Sequence, residues 1–149
     1  HPEQEVIYIT DCHPANHSSF VEFGGIWPPH CVEGTRGGAI HESFYTKVEN
    51  PANRPDPNRN IFRKGCKQDE EQYSGYEAVN SNGVALKDYA NKDVVVSGIA
   101  TEYCVYNTVN EFLKSGRNVE LLHDALGYVD YEGHKKTIKD LRKMVTVVE

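Results

Sequence analysis

Residues 93–116 read DVVVSGIATEYCVYNTVNEFLKSG, and the pattern predicts a β-strand that turns directly into an α-helix. The run 94–96 is entirely valine, which is typical of a strand covered on both faces of a parallel sheet, and we predict a strand over 93–97. Apolar side chains then recur with helical spacing, at Val105, Val109, Phe112 and Leu113. Gly116 supplies the left-handed residue that often ends a helix. The segment therefore predicts a strand and the helix that follows it, the repeating unit of an α/β fold.

The rest of the chain repeats this pattern. Four more short runs predict strands, at 6–10, 60–63, 119–122 and 145–148. A second helix is predicted within 134–143, where Ile138 and Leu141 form the apolar side. The proline- and glycine-rich stretches 23–38 and 50–60 predict loops. The order of the elements predicts an α/β fold with a doubly wound parallel sheet and Rossmann-type layering.

The composition limits the classes of protein to consider. A chain of 149 residues predicts one domain over 1–149, and 38% hydrophobic with 26% charged residues is typical of a globular protein. The net charge of −6 argues against a nucleic-acid partner, because such proteins carry a basic face for the phosphates. The longest apolar run, within 94–100, is too short for a bilayer, so we expect no membrane partner. Four scattered cysteines without a C-x-x-C pair predict a reduced, cytoplasmic setting.

Two candidate metal ligands follow the first predicted strand. Asp11 and His13 are two residues apart in extended chain, so their side chains point the same way. His30 comes after the stiff turn 27–29 and is the natural third ligand. Two histidines and a carboxylate suit Zn²⁺, Fe²⁺ or Mn²⁺, with coordination positions left for water or substrate. The competing interpretation is a capping aspartate with surface histidines. His17 is either a fourth ligand or, as its spacing favours, a residue that braces the loop.

The turn after the third predicted strand places Cys104 in the first turn of a helix. Unpaired backbone N–H groups and the positive end of the helix dipole favour a thiolate there, so the sequence predicts a nucleophile. The same amides are able to stabilise an oxyanion formed at the sulfur. The competing interpretation is a buried structural cysteine, a common fate of this residue.

Further candidate site residues lie after a predicted strand or in predicted loops. Lys64 follows the second strand, where it is able to pair with a thiolate and lower its pKa, although most lysines are solvated surface groups. The aromatic residues Trp27, Tyr73 and Tyr76 either wall a flat ring or simply pack their loops. The remaining cysteines and histidines are predicted to be structural or surface residues; they are Cys12, Cys31, Cys66, His41, His123 and His134.

Four segments together carry a family resemblance that none carries alone. They are TDCHPANHSSF (10–20), WPPHCVEGT (27–35), FRKG with YSGYE after it (62–65 and 73–77), and SGIATEYCV (97–105). In order and spacing the chain resembles the nicotinamidase/pyrazinamidase branch of the isochorismatase-like cysteine hydrolases. The likeness runs over nearly the whole chain.

The resemblance implies an amidase that converts nicotinamide to nicotinic acid and ammonia, and so serves NAD salvage. Cys104 is implied as the nucleophile that attacks the carboxamide carbon and forms a thioester, with Lys64 as its catalytic partner. One divalent metal ion, zinc first and iron or manganese as alternatives, is implied on Asp11, His13 and His30.

The resemblance also implies the surroundings of the reacting carbonyl. The peptide bond between Ile99 and Ala100 is expected to be cis, so that the amides of Ala100 and Cys104 face the oxyanion. Trp27 and Tyr73 are implied as walls of the nicotinamide pocket.

One part of the family pattern is missing. The family's sheet normally starts with a central strand that ends in a catalytic aspartate, followed by a helix, before the segment equivalent to 6–10. We therefore expect about 35–50 residues upstream of His1 that hold this strand, since a strand, a crossover helix and their connections take about 30 or more. The 149 residues alone are expected to be unfolded or inactive.

Two other functions stay open at this point. One is a related amidase that acts on ureido or carbamoyl substrates, and the other is a metal-binding relative without catalysis. The expected partner is a small-molecule substrate, and a homo-oligomer is left open.

Overall fold

The computed structural model describes residues 4–149, and the start of the chain at 1–3 lies outside them. The described residues form two compact units. The first contains 4–72 and Glu77–Leu86, and the second contains Tyr73–Tyr76 and Lys87–Glu149. The single-domain assignment and the upstream strand stay predictions.

The first unit is built on two parallel strands, β1 (Tyr8–Asp11) and β2 (Ile61–Lys64). The register sets Tyr8 opposite Ile61 and Asp11 opposite Lys64. Apolar side chains of β2 are buried together with residues from the surrounding loops; these are Ile61, Phe62, Phe20, Ala78 and Leu86. Both predicted strands are confirmed within one or two residues.

Irregular chain makes up most of the remainder of this unit. It contains a short helix and three 3₁₀ turns, namely α1 (Ser43–Thr46), Val21–Phe23, Arg36–Gly38 and Pro51–Asn53. The buried Asn60 fixes the proline-rich loop before β2, because its Nδ2 donates to the carbonyls of Val6 (2.9 Å) and Arg54 (3.1 Å). Its Oδ1 also accepts from the amide of Asp56 at 2.8 Å. The Asn60 side chain thus supplies hydrogen bonds to a loop whose prolines have no backbone N–H to donate.

The chain just after β1 pairs with a second backbone segment in addition to β2. The amide of Cys12 donates to the carbonyl of Lys64 at 2.9 Å, which continues the pairing with β2. His13 then pairs with the chain around Val32, since its amide donates to Cys31 O (3.1 Å) and its carbonyl accepts from Glu33 N (2.9 Å). This pairing holds the chain that follows His30 against the end of β1.

The second unit is a three-stranded parallel sheet with two helices. Its strands, in the order β3-β4-β5, are β3 (Asp93–Gly98), β4 (Asn118–Leu126) and β5 (Thr146–Val148). A π-helical turn, Thr101–Val105, leads into α3 (Tyr106–Lys114), and α4 covers Tyr131–Leu141. The core consists of Val105, Val109, Phe112, Val119, Leu121, Ile138 and Leu141. Another short helix, α2 (Leu86–Tyr89), lies where the chain enters this unit.

Parallel pairing with intervening helices confirms the predicted α/β class. Gly116 ends α3 with a φ of +82°, as the sequence predicts. Among residues 4–149, no helix is both long enough and apolar enough to cross a membrane.

Three details differ from the expectations. β4 runs to Leu126, whereas the prediction ended at residue 122. The prediction stopped early because residues 123–126 are partly exposed and show no alternating apolar pattern. α4 begins at Tyr131 because the Asp130 side chain accepts from the amide of Gly133 at 2.6 Å and caps the helix. Val95 of β3 is 51% exposed, so the described residues leave this face of the strand uncovered, whereas the valine run predicted a strand covered on both faces.

Candidate active site

The end of β1 brings Asp11 and His13 to one place in the first unit. Their alternation in extended chain points both side chains the same way, as predicted. His30 joins them through the turn at Trp27, whose amide donates to Ser19 O (2.9 Å) and whose carbonyl accepts from Val21 N (2.8 Å). One donor atom each of Asp11, His13 and His30 lies within 4.8 Å of the other two.

Both imidazoles are held in the tautomer that a metal ion requires. The Nδ1–H of His13 donates to Gly65 O at 2.9 Å, and the Nδ1–H of His30 donates to Pro28 O at 2.8 Å. Each Nε2 therefore keeps its lone pair when the ring is neutral. His13 Nε2 lies 4.0 Å from Asp11 Oδ2. Two imidazole nitrogens and a carboxylate oxygen fit a divalent transition-metal ion.

Burial of His13 supports the same donor set. His13 is almost completely buried, and this desolvation lowers its pKa, although the hydrogen bond to Gly65 and the charge of Asp11 act in the opposite direction. The imidazole is thus favoured in its neutral form, which is the form that binds a metal ion.

Lys64 is buried beside the candidate ligands. It is 4% exposed, and its Nζ lies 2.5 Å from Asp11 Oδ1 and 2.9 Å from the carbonyl of Gln72. The opposing charges of Lys64 and Asp11 compensate each other in a site with little solvent. Because Asp11 Oδ1 accepts from Lys64, Asp11 Oδ2 is the oxygen that faces His13.

His17 occupies the bracing position that its spacing favours. Its Nδ1 accepts from the Ser19 amide at 3.2 Å and lies 2.7 Å from the Ser19 hydroxyl, while its Nε2–H donates to Glu70 O at 3.1 Å. Its ring lies 4.1 Å from the His13 ring, between centroids. Both ring nitrogens of His17 are engaged, so this conformation offers neither to a metal ion.

Aromatic side chains surround the candidate ligands. The buried Phe20 ring contacts His13 edge-on at 5.7 Å and lies 5.5 Å from His30. Trp27 also lies beside His30, with ring centroids 6.1 Å apart and an edge-to-face arrangement. An aromatic wall beside a metal-binding group is able to receive a flat heteroaromatic ring.

The second unit contains Cys104 at the start of a helical segment. The peptide between Ile99 and Ala100 is cis, as the resemblance implies. The carbonyl of Ala100 then accepts from Tyr103 N (3.1 Å) and Val105 N (3.2 Å), which forms the turn that holds Cys104. The carbonyl of Cys104 accepts from the Thr108 hydroxyl at 2.7 Å, and the thiol is half-buried.

Other predicted residues fall within one unit or the other. Tyr73 packs on Tyr103 in the second unit, with ring centroids 5.5 Å apart. Tyr76 packs edge-on against Phe112 at 5.7 Å, which favours ordinary core packing over a ligand wall. The structure therefore gathers the three candidate ligands, Lys64 and Trp27 in the first unit.

Sequence reasoning missed one polar support, Gln72, and placed a second, His134, only among the structural or surface residues. Gln72 accepts from Gly65 N through its side chain and from Lys64 Nζ through its backbone, but no motif marks its place in a polar loop. His134 is buried in the second unit, and its Nδ1 lies 3.0 Å from the Thr101 hydroxyl, which donates to Gly127 O at 2.8 Å. His134 lies on the apolar side of α4 with Ile138 and Leu141, which fits the structural alternative of its prediction.

Comparison with known proteins places the chain in a family. Residues 71–149 match the Isochorismatase domain family. The chain is 30% identical over 144 residues to a nicotinamidase/pyrazinamidase of Mycobacterium tuberculosis, covering 92% of this chain and 72% of that protein. It is 29% identical to a nicotinamidase of Escherichia coli, covering 81% of this chain and 62% of that protein.

Solved structures agree with this assignment. A Pyrococcus horikoshii pyrazinamidase in complex with zinc aligns with a TM-score of 0.77 and 32% identity, over 97% of this chain and 75% of that chain. An L. infantum protein in complex with nicotinate aligns with a TM-score of 0.78 and 30% identity, over 99% of this chain and 75% of that chain.

The parallel α/β fold and the sequence match define the class, and the chain belongs to the Isochorismatase domain family. Within that family it is similar to the nicotinamidases and pyrazinamidases named above. The resemblance drawn from the four sequence segments is thereby confirmed.

Proposed function

We propose that this protein is a metal-dependent cysteine amidase that hydrolyses nicotinamide to nicotinic acid and ammonia. The observation that carries the proposal is the group Asp11, His13 and His30, with donor atoms within 4.8 Å of one another and with both Nδ1–H groups bonded to carbonyls. Relatives of the chain include nicotinamidases from several organisms. A ring nitrogen and a carboxamide are the two chemical features that such a substrate offers.

Asp11, His13 and His30 would hold one divalent metal ion. Zinc is our first choice, because nitrogen and oxygen donors suit it and because the P. horikoshii relative was solved with zinc. Iron and manganese are the alternatives for the same donor set. When bound, the metal supplies a Lewis acid for the pyridine nitrogen or for a water molecule.

Cys104 is proposed as the nucleophile. The thiolate sulfur attacks the carboxamide carbon, the C–N bond breaks, and the amine leaves as ammonia after taking up a proton. The resulting thioester is hydrolysed by one water molecule, which regenerates the thiol and releases nicotinic acid. The amides of Ala100 and Cys104 are proposed as donors to the oxyanion, where each such donor contributes substantially to the rate.

The other proposed roles concern binding and charge. Lys64 is proposed as the lysine of the catalytic set, and its ion pair with Asp11 holds its side chain in place. Trp27 and Tyr73 are proposed as walls for the pyridine ring; Trp27 stands beside His30.

Ammonia release by the native-length protein tests the proposal. We expect release from nicotinamide and pyrazinamide, loss of release after removal of the metal by a chelator, and its return with Zn²⁺. Release from a ureido or carbamoyl compound but not from nicotinamide would instead indicate a related amidase. Metal binding without any ammonia release would indicate a relative that lacks catalysis.

A further inference from the structure

The loop after β2 closes on itself through one side chain. The amide of Gly65 donates to Gln72 Oε1 at 2.9 Å. Gly65 is buried and Gln72 is half-buried, so this bond is sheltered from water at one end. A buried N–H needs such a partner, and the bond therefore ties residue 72 to the beginning of the loop.

One branch of contacts runs from this closure to His13. The carbonyl of Gly65 accepts from His13 Nδ1–H at 2.9 Å, so Gly65 is held by Gln72 on its amide and by His13 on its carbonyl. A bond to Nδ1 fixes both the ring orientation and the nitrogen that faces a metal ion.

A second branch runs from the same residue to Asp11. The backbone carbonyl of Gln72 accepts from Lys64 Nζ at 2.9 Å, and Lys64 Nζ lies 2.5 Å from Asp11 Oδ1. Lys64 is 4% exposed, so its ammonium depends on these oxygens rather than on water. The position of the Gln72 carbonyl therefore bears on the position of the Asp11 carboxylate.

We propose that Gln72 is a positioning residue that orients two of the three candidate ligands, His13 through Gly65 and Asp11 through Lys64, and thereby sets the affinity of the metal site. This inference rests on the proposed function in taking Asp11, His13 and His30 as the ligands. His30 is oriented separately, by the carbonyl of Pro28.

Loss of the Gln72 side-chain oxygen acts on both branches. It leaves the buried amide of Gly65 without its acceptor, and it releases the loop end that carries the carbonyl facing Lys64. Loss of such supporting contacts typically lowers metal affinity by about 10- to 100-fold. We expect a loss in this range for Gln72→Met, which keeps the length of the side chain and removes the acceptor.

The experiment measures Zn²⁺ affinity of the metal-stripped native-length protein by competition with a chromophoric chelator. Gln72→Glu keeps an oxygen at the same place and is expected to bind within about threefold of wild type. Gln68→Met is the matched control, because Gln68 lies in the same loop, is exposed, and bonds Ser18 N through its backbone carbonyl. The visible spectrum of the Co²⁺-loaded protein gives a second readout, since it reports ligand geometry, and it should change in Gln72→Met alone.

Each outcome decides the question. Gln72→Met with wild-type Zn²⁺ affinity and an unchanged Co²⁺ spectrum overturns the proposal and leaves the proposed function intact. If Gln72→Met does not fold, Gln72→Asn replaces it, because its oxygen is one methylene short of Gly65, and wild-type affinity in that variant overturns the proposal equally. Zn²⁺ affinity that His30→Ala leaves unchanged overturns the metal site itself, and the role of Gln72 with it.

Discussion

Cys12 and His13 are neighbours in sequence, and burial drives both toward their neutral forms. Burial raises the pKa of the Cys12 thiol to about 12, helped by contacts with Cys66 and Glu33, and burial lowers the pKa of His13. The neutral imidazole keeps a lone pair for a metal ion, whereas the protonated thiol is a poor ligand and a poor nucleophile. Alternation in the extended chain also points the Cys12 side chain away from Asp11 and His13, so Cys12 lies between two candidate ligands without joining them.

Alkylation rates test this contrast between the cysteines. With a pKa of about 12, only about one Cys12 in ten thousand is a thiolate at pH 8, so iodoacetamide should label it most slowly. The exposed Cys66 should be labelled faster, and Cys104 fastest, since its place at a helix start favours a thiolate. Peptide mass spectrometry over time gives the three rates. Labelling of Cys12 as fast as of Cys66 would contradict the protonated state assigned to Cys12.

At the scale of elements, the ends of β1 and β2 form the candidate site, and the turn after β2 tolerates only glycine. Gly65 has a φ of +63°, and a Cβ there would lie 2.5 Å from His13 Cε1 and 2.8 Å from His13 Nδ1. Any larger residue must push the imidazole away from the Gly65 carbonyl that orients it.

Gly65→Ala is therefore expected to lose both stability and metal affinity. The positive φ alone costs about 1 kcal/mol for alanine, and the collision adds to that cost. Gly83→Ala is the control, because Gly83 has a similar φ of +76° and no described atom within 4 Å of its Cβ. Denaturant unfolding and Zn²⁺ titration should show a stability loss in both variants but an affinity loss of at least tenfold only in Gly65→Ala. Equal affinities in the two variants would argue against the contact with His13.

The same elements show which features of the fold and of the candidate site local sequence rules predict. Local rules predict that Asp11 and His13 point together, because alternation in a strand depends only on spacing. The turn at Trp27 predicts that His30 returns to them, because proline restricts the chain. Gln72 was not predictable, since its role depends on loop closure over eight residues without a regular pattern. The far half of β4 was missed for a similar reason, because pairing with β3 at Gly98 holds Leu126 in the strand without an apolar alternation.

At the scale of the whole molecule, sequence, fold and candidate chemistry agree. The net charge of −6 suits a small neutral substrate better than a polyanion. The described strands form two parallel sheets, one of two strands and one of three. Asp11 and Lys64 lie at the ends of β1 and β2, whereas Ala100 and Cys104 follow the end of β3. The candidate ligands lie in the first unit, and Cys104 lies in the second. The described structure therefore supports the candidate metal site and the turn at Cys104 separately. A turnover measurement tests whether the two act in one reaction.

One sulfur atom, that of Cys104, is proposed to carry the reaction. The most direct measurement compares ammonia release from nicotinamide by the native-length, metal-loaded wild-type protein, by Cys104→Ala, and by Cys66→Ala as the control. Alanine removes only the thiol, so the fold and the metal content should persist in both variants. We predict that Cys104→Ala falls below about a hundredth of wild-type turnover while Cys66→Ala remains close to it. Turnover by Cys104→Ala above that level, with intact metal content, would contradict the account.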